Sequence, residues 1–299
     1  MDLGGGVLDI GSMNPRKFLL GSVLCFLVAF SVRAEEPWKA LFNGRDLSGW
    51  DTEMMELPDR TWEVPGLARG TNGVYLEAVG KNRDPLHVFT VTNMDGGPVI
   101  HVSGQGFGVM MTTGIFTNVH VHVEVKWGDR KWSKKLNRPF DTGLLYFCHS
   151  ECGTADKTWP RSIEFQINQK EFGDLYAVAS RITVPARWDG KVWRYDAAGT
   201  NTDFFMQKPI GNHCAHNVDA EKPKGEWNSL DLITYQGNSI HVVNGQVVMR
   251  LYHAQRLDGD VPAPLTAGKI SLQTEGGECY YRNVKVQEIS EVPAEFAEH

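Results

Sequence analysis

Strict alternation of apolar and polar residues is the feature that most limits how this chain can fold. Val119–Trp127 reads Val-His-Val-His-Val-Glu-Val-Lys-Trp, so every second side chain is apolar. Successive side chains of a β-strand point to opposite faces, whereas a helix would scatter these valines around its circumference. The segment is therefore predicted to be a strand whose valines face a core. The polar row on its other face consists of His120, His122, Glu124 and Lys126.

A second alternating segment, Ile163–Asn168, reads Ile-Glu-Phe-Gln-Ile-Asn. Its apolar residues are predicted to face a core, which leaves Glu164, Gln166 and Asn168 in one row on the other face. One acid and two amides suit a sheet face that grips a polyhydroxylated ligand, with the acid able to move protons. The alternative is that this face is polar only because water covers it.

Many further short segments carry strand and turn signals. Gly143–His149 is mostly apolar on both faces and is predicted to be a central strand. Turn signals at Gln236-Gly237-Asn238 and Asn244-Gly245 predict hairpins, and Gly276-Gly277 predicts a terminal hairpin. Val184–Lys224 lacks sustained alternation and is predicted to be a long ordered loop. Because long amphipathic helices are absent from the sequence, we predict an all-β, two-sheet jelly-roll sandwich.

The N-terminal residues resemble an export signal. Arg16 and Lys17 form a basic region, Phe18–Phe30 is an apolar stretch, and Ala34 is a small residue suited to cleavage. We therefore predict a signal peptide and a mature protein that is periplasmic or extracellular. A retained membrane anchor is the alternative, although the apolar run is short for a membrane span.

The rest of the chain is predicted to form one domain. Its boundaries are 35–289, after a signal peptide over 1–34 that starts at either Met1 or Met13, and a polar tail over 290–299 is expected to fray. The formal net charge is −6 and Lys and Arg form no run, which argues against a nucleic-acid partner. After removal of the signal, no segment is apolar enough to span a membrane.

Four cysteines follow the predicted signal, at Cys148, Cys152, Cys214 and Cys279. An exported protein meets an oxidising environment, so these residues are expected to form one or two disulfides or to remain buried thiols. The Cys148-x-x-x-Cys152 spacing is loose for zinc and has no second pair, which disfavours a metal site.

Seven short motifs occur in an order that resembles the 3-keto-disaccharide hydrolase family, long known as a domain of unknown function. The similarity covers about Trp38–Ile289, and the family fold is a concanavalin-like and glucanase-like jelly roll of two sheets. The motifs are Leu41–Trp50, Thr142–Tyr146, Glu164–Ile167, Gly225–Asn228, Val243–Gly245, Leu272-Gln273 and Tyr281–Val284.

The resemblance also implies a chemistry. Members of the family act on sugars that carry a ketone at C3 and cleave the glycosidic bond. The ketone acidifies the C2 proton, so a base can remove it, the C1 substituent leaves by β-elimination, and water then adds. This route needs a base near C2, a cation or donor at the C3 oxygen, and an acid for the leaving group. We therefore expect an exported enzyme that cleaves 3-keto-glycosides, with an oxidoreductase that forms the 3-keto sugar as a pathway partner.

Three residues are predicted to be catalytic. Glu164 lies in the family motif and is expected to act as a base or a metal ligand. Lys126, in a Lys-Trp-Gly run that resembles one branch of the family, is expected to stabilise an enolate oxygen. Relatives carry a histidine directly after the tyrosine, where this chain has Phe147. His149 lies two residues further on, so it is expected to share the face of Phe147 and to replace that histidine.

A further set of residues is predicted to bind the sugar. Gln273 and Glu275 share one face of the penultimate strand. Arg282 is expected to bind a hydroxyl or the keto oxygen, with bracing of the sheet as its alternative role. Asp174 and Tyr176 are expected to rim the pocket. The complete predicted substrate-binding set is Tyr146, Gln166, Asp174, Tyr176, Gln273, Glu275 and Arg282.

The cofactor requirement stays open at this stage. The row His120, His122 and Glu124 could bind a divalent metal that stabilises an enolate, or it could be an outer face in contact with water. Two other functions also stay open. One is a noncatalytic carbohydrate-binding module, and the other is an ordinary jelly-roll glycoside hydrolase. The Glu-x-Asp-x-x-Glu motif typical of jelly-roll glucanases is absent from the sequence.

Overall fold

A computed structural model of the protein describes residues 1–6, 36–57, 62–73, 75–259 and 261–298. Most of the predicted signal peptide over 1–34 lies outside these described residues. Internal contacts divide the chain into two units, Met1–Ala34 and Glu35–His299, and all the strands that the structure describes belong to the second. Within the described ranges, no helix is long and apolar enough to cross a membrane.

The described part of the chain is built almost entirely from strands. In chain order they are β1 (Lys39–Ala40), β2 (Trp50–Glu56), β3 (Gly80–Lys81), β4 (Phe89–Met94), β5 (Gly97–Val102), β6 (Phe107–Thr112), β7 (Val119–Lys131), β8 (Gly143–Cys148), β9 (Ser162–Gln166), β10 (Leu175–Val178), β11 (Ser180–Trp188), β12 (Trp193–Tyr195), β13 (Thr200–Phe204), β14 (His213–Cys214), β15 (Asn228–Tyr235), β16 (Asn238–Val243), β17 (Gln246–Arg256), β18 (Ala263–Pro264), β19 (Lys269–Glu275) and β20 (Gly277–Glu288). Two short 3-10 helices, Ser133–Lys135 and Ala294–Phe296, complete the described elements.

Two antiparallel sheets pack face to face around one core. The described strands of the smaller sheet follow the order β14-β10-β9-β8-β19-β6-β2-β3. The larger sheet follows β12-β11-β17-β16-β15-β7-β20-β5-β4, with β1, β13 and β18 attached at its sides. This arrangement confirms the predicted all-β, two-sheet jelly-roll sandwich.

The alternation predicts correctly which side chains fill the core. The four valines of β7 between Val119 and Val125 are buried in the central cluster, as are Ile163, Phe165 and Ile167 of β9 and its C-terminal extension. Because the two sheets contribute facing apolar rows, the polar rows of both strands lie on the outer faces of the sandwich. Any binding site formed by these polar rows therefore lies on an outer face of the sandwich.

The turn predictions are partly confirmed. Gln236 and Gly237 have φ of 51° and 78°, and Asn244 and Gly245 have φ of 50° and 79°, as tight hairpin turns require. The predicted hairpin at Gly276 is wrong, because β19 belongs to the smaller sheet and β20 to the larger. The glycine pair instead carries the chain from one sheet to the other.

The predicted loop over Val184–Lys224 is also wrong. This stretch holds the end of β11 together with β12, β13 and β14. Thr200–Phe204 pairs with Ile182–Ala186 along five residues, so the segment extends the larger sheet. Pro185 interrupts the alternation, so the sequence pattern does not predict a strand there. The proline is nevertheless tolerated within β11, opposite Asn201.

The cysteines and the tail resolve two further expectations. Among the described residues, Cys148, Cys152, Cys214 and Cys279 are all buried free thiols, which is the second of the two states expected from the sequence. Fraying of the tail was a wrong prediction. Val292 and Phe296 pack on an apolar cluster of β15 and β16, and Arg250 Nη2 donates to the Phe296 carbonyl oxygen at 2.8 Å.

Candidate active site

The outer face of the smaller sheet contains a cleft of about 380 Å³. Three strands of that sheet supply its floor, with β8 between the second and the third: Tyr176 comes from β10, Glu164 and Gln166 from β9, and Gln273 with Glu275 from β19. Tyr176 lies directly opposite Glu164 in the register of β9 and β10. The strand pairing therefore brings together five side chains that the sequence predicted for the site.

Part of this face is covered by an apolar cluster that lies beside the cleft. Val109, Met111 and Leu145 form an apolar cluster with Cys148 and Cys152, and Trp159 packs against it. Cys152 and Trp159 belong to the segment between β8 and β9, which folds back over the sheet. Trp159 also lines the cleft, so the covering segment forms one of its walls.

Gly143 provides the space in which the central polar groups meet. A Cβ atom at this position would lie 2.3 Å from Glu164 Oε1 and 2.4 Å from Gln273 Oε1. Both distances are far below a normal van der Waals contact. The glycine on β8 therefore allows the acid from β9 and the amide from β19 to approach each other across the intervening strand.

Lys135 supplies the positive charge of the cleft. Its Nζ lies 3.3 Å from Glu275 Oε1 and forms a close ion pair with Asp141 Oδ2. Lys135 ends the first 3-10 helix, and Gly276 gives its aliphatic stem room to cross the sheet edge. One ammonium group is thus shared between two carboxyl groups.

The carboxyl groups of the cleft bind protons unusually well. Burial, together with the nearby Glu275 and Asp141 charges, raises the pKa of Glu164 well above its ordinary value. Burial likewise raises the pKa of Glu275 to about 7, with a further contribution from Asp141 that Lys135 opposes. Burial also raises the pKa of Asp141. The neutral form of Glu164 is therefore favoured by its surroundings, and at neutral pH Glu275 is poised between its two forms.

Four acceptor oxygens in this one cleft are buried and have no hydrogen-bond partner among the described residues. They are Asp141 Oδ1, Glu164 Oε1, Asn168 Oδ1 and Gln273 Oε1. A buried acceptor without a donor costs about 1–3 kcal/mol, so such groups are rare unless a ligand or water satisfies them. The cleft is therefore built to receive several hydrogen-bond donors at once.

Two further predicted residues, Gln166 and Asp174, lie at the cleft and beside it. Gln166 Oε1 accepts from the Ile167 backbone N–H at 2.8 Å, which leaves the Gln166 amide nitrogen to face the cleft. Asp174 is not part of the lining. Its carboxylate is buried behind Tyr176 and binds His213 and His216.

Two residues that were predicted for the site lie outside the cleft: Tyr146 in β8 and His149 directly after it. Tyr146 is buried between the sheets, where its hydroxyl bonds Ser239 Oγ at 2.7 Å and His241 Nε2 at 3.0 Å. His149 Nδ1 bonds the Phe147 carbonyl oxygen at 3.0 Å outside the cleft lining. A bulge at Phe147, which has φ of 53°, places Tyr146 and Phe147 together in the core. The bulge breaks the alternation on which the prediction for His149 depended.

The polar row of β7 lies on the outer face of the larger sheet, on the far side of the core from the cleft. Lys126 Nζ pairs there with Asp95 Oδ2 at 3.0 Å. Arg282 Nε donates to Glu124 Oε2 at 2.6 Å and lies over the Trp227 ring, which matches the bracing alternative. Lys126 and Arg282 are therefore wrongly predicted to join Glu164 in one site.

The predicted metal row forms a hydrogen-bonded network instead. His120 Nε2 and His122 Nδ1 both lie 2.8 Å from Asp231 Oδ1, while Glu124 is engaged by Arg282 and Asn283. In the described ranges, no group of three His, Cys, Asp or Glu residues has an arrangement that could hold a metal ion.

Several residues of the cleft were missed by the sequence reasoning because they come from loops without a periodic pattern. Their positions become apparent only when the chain folds back over the smaller sheet. These residues are Lys135, Asp141, Asp156, Trp159, Glu171 and Asn212.

Replacing Gly143 by Ala is expected to lower kcat/KM by about 100-fold, because the new methyl group displaces the Glu164 carboxyl from its place. The free energy of unfolding should fall by about 1–3 kcal/mol from overpacking. Steady-state kinetics and urea unfolding measure the two effects. Gly97→Ala is the matched control, because its Cβ would meet no atom within 4 Å. Wild-type kinetics in Gly143→Ala would contradict the packing argument.

Comparison with known proteins finds solved structures that are similar to this chain over most of its length. A candidate glycosyl hydrolase from Parabacteroides distasonis is similar over 85% of this chain and 94% of its own, with 20% identity and a TM-score of 0.45. The carbohydrate-binding module CBM66 from Bacillus subtilis is similar over 67% of this chain and 91% of its own, with 7% identity and a TM-score of 0.39.

The β-glucanase of Bacillus licheniformis is similar over 86% of this chain and 99% of its own, with 10% identity and a TM-score of 0.38. No curated protein sequence matches the chain. Residues 37–287, which contain the cleft and nearly all the strands, match the 3-keto-α-glucoside-1,2-lyase-like domain. The resemblance seen in the ordered motifs is thereby confirmed, and the chain belongs to the family of 3-keto-α-glucoside-1,2-lyase-like domains.

Proposed function

We propose that this protein cleaves 3-keto-glycosides in the cleft around Glu164, by removal of the C2 proton and β-elimination followed by addition of water. Membership of the family makes it a carbohydrate-active jelly-roll protein and supports the coarser part of the proposal. The observation that carries it is the set of four buried acceptor oxygens without partners. Sugar hydroxyl groups are donors of the kind that these oxygens lack.

The carboxyl groups and Lys135 can supply each part of the elimination. Glu275, with a pKa of about 7, takes the C2 proton, and the Lys135 ammonium stabilises the negative charge that develops on the C3 oxygen. The C1–O bond then breaks, and the neutral Glu164 carboxyl donates its proton to the departing oxygen. Glu275 ends protonated and Glu164 ionised, so transfer of one proton from Glu275 to Glu164 restores the starting state.

An ordinary glycoside hydrolase is the second candidate function, because Glu164 and Glu275 line the same cleft. Two carboxyl groups that flank a glycosidic bond are the usual machinery of hydrolysis through an oxocarbenium-like transition state. That mechanism also requires one carboxylate to be ionised at neutral pH, and Glu275 can meet the requirement. The oxidation state of the accepted sugar separates the two candidates.

The proposal also includes the cellular context of the enzyme. The basic and apolar N-terminal segments support export to the periplasm or the extracellular space. A substrate with a C3 ketone implies an oxidoreductase that forms it upstream. Export and the upstream oxidoreductase are both part of the proposal, and neither depends on the geometry of the cleft.

The test is incubation of the protein with a 3-keto-disaccharide beside its unoxidised parent, with products separated by chromatography. We expect release of the leaving sugar from the 3-keto compound and a conjugated enone, or its hydrate, from the other half. The parent should remain intact. Cleavage of both at similar rates would favour the ordinary glycosidase, whereas binding without turnover would indicate a noncatalytic module.

A further inference from the structure

A buried carboxylate lies two residues before Tyr176, beside the cleft and outside its lining. Asp174 is 1% exposed and accepts three hydrogen bonds, from His213 Nε2 at 2.7 Å, the His216 backbone N–H at 2.8 Å and His216 Nδ1 at 2.5 Å. Because an ionised carboxylate only accepts, both imidazoles donate to it. Burial acts to raise the pKa of Asp174, but these hydrogen bonds outweigh it and hold the pKa below its ordinary value. His213 therefore carries its proton on Nε2.

His213 connects this carboxylate to the floor of the cleft. It lies in β14 opposite Tyr176 of β10, and Tyr176 lies opposite Glu164 of β9. The rings of His213 and Tyr176 stack with centroids 4.6 Å apart and an interplanar angle of 28°. A continuous series of contacts and neighbouring strand positions therefore leads into the cleft. It runs from Asp174 through His213 and Tyr176 to Glu164.

The Tyr176 hydroxyl is a free donor in the cleft. It has no hydrogen-bond partner among the described residues, although the ring lines the cleft beside Glu164. Burial, and then the charges of Glu171 and Glu164, raise the pKa of Tyr176, so the hydroxyl keeps its proton at neutral pH. Because no bond holds the hydroxyl in place, the position of its oxygen depends on how firmly the ring is held, and the O–H can then turn toward an acceptor.

We propose that Asp174 and His213 are positioning residues, which hold the Tyr176 ring so that its hydroxyl donates to an oxygen of the bound sugar. The inference rests on the proposed function, because it names a part of the same cleft. Asp174 fixes the His213 ring through one hydrogen bond, and the fixed ring restrains Tyr176 by stacking. His216 shares the carboxylate but makes no ring contact with Tyr176, so its role is confined to Asp174.

A double-mutant cycle on the full chain tests the proposal. His213→Gln keeps a donor for Asp174 but removes the ring, and Tyr176→Phe removes only the hydroxyl. Each is expected to lower kcat about 10-fold to 100-fold on a 3-keto-disaccharide, because displaced groups lose that much through misorientation. The double variant should be no slower than Tyr176→Phe alone, because His213 acts only through that hydroxyl.

The matched control is His216→Asn, whose amide can replace the Nδ1–H donor to Asp174. It should change kcat by less than about twofold, because His216 has no ring contact with the cleft. Independent, multiplicative effects of His213→Gln and Tyr176→Phe would overturn the proposal, since a purely structural histidine slows both backgrounds equally. Wild-type kcat in either single variant would overturn it as well.

Failure of the proposed function is distinguishable from failure of this inference. If the wild-type protein binds the 3-keto-disaccharide without turning it over, the proposed function fails. The same cycle is then measured as dissociation constants by calorimetry. Coupling between positions 213 and 176 in those constants supports the positioning role, and additivity overturns it. A ¹⁵N spectrum of His213 that lacks the Nε2–H tautomer would also overturn it.

Discussion

Replacing Glu164 by Gln is expected to lower kcat for a 3-keto-disaccharide by about 10²–10⁴-fold, the usual contribution of a positioned acid. Glutamine has almost the same shape, but it cannot transfer a proton to the departing oxygen. Burial raises the pKa of Glu164 and favours its neutral form, so the neutral glutamine resembles the native side chain in charge as well as in shape. KM should therefore change little while kcat falls.

The same substitution should leave the fold intact. The new amide can donate a hydrogen bond to Gln273 Oε1, a buried oxygen that lacks a partner in the described protein. Thermal unfolding should consequently occur at the wild-type temperature or above it. Glu53→Gln is a suitable control, because Glu53 lies on the same face of the smaller sheet, two strands from Gln273 and outside the cleft lining.

Two results would count against this role for Glu164. A kcat within about threefold of wild type would mean that the proton comes from another group, since acid catalysis contributes far more. A large fall in the unfolding temperature would mean that Glu164 is needed for the sheet rather than for the reaction. Rate and stability must therefore be measured on the same preparation.

The strand that carries Glu164 could be predicted from the sequence because alternation alone determines its faces. Ile163, Phe165 and Ile167 had to face a core, so Glu164 and Gln166 had to share the opposite face. The pattern could not reveal that this face is covered. Glu164 and Gln166 are each only 6% exposed, so they are not simply part of a wet surface. That burial comes from the segment between β8 and β9 and from side chains of other strands, whose positions the alternation of β9 does not report.

The errors in the site prediction have a common physical origin. Alternation gives the two faces of one strand but not which sheet the strand joins, so Lys126 of β7 and Glu164 of β9 were assigned to one site. One bulged residue, Phe147, also reverses the alternation that follows it. Lys135 ends a 3-10 helix of three residues and Asp141 lies in the loop before β8, so no periodicity exists to predict their direction.

Replacing Lys135 by Met is expected to have the second large effect on activity. It removes the only ammonium group among the described residues that line the cleft, so the charge on the C3 oxygen loses its stabilising partner. Loss of one such group lowers kcat by about 10²–10³-fold. Lys134→Met is the matched control, because Lys134 is its neighbour and pairs with Glu56 at the exposed surface.

The pH dependence of the Lys135→Met variant provides an independent readout. Lys135 lowers the pKa of Glu275, which is nevertheless raised to about 7 in the native protein. Removing the ammonium raises that pKa further, so the pH at which the base ionises, and with it the acid limb of the kcat/KM profile, should move to higher pH. An unchanged limb would show that Glu275 is not the base.

The raised pKa of Glu275 also predicts how the free energy of unfolding depends on pH. A carboxyl group whose pKa is higher in the folded state than in the unfolded chain stabilises the fold when protonated. For Glu275, that stabilisation is present below its ordinary pKa and is lost as pH rises through about 7. The Lys135→Met variant should therefore lose less stability at pH 5, where Glu275 is protonated, than at pH 8, where the loss should be about 3 kcal/mol, the lower end for breaking a buried ion pair. An equal loss at both pH values in chemical unfolding would contradict the shared-charge arrangement of Lys135, Asp141 and Glu275.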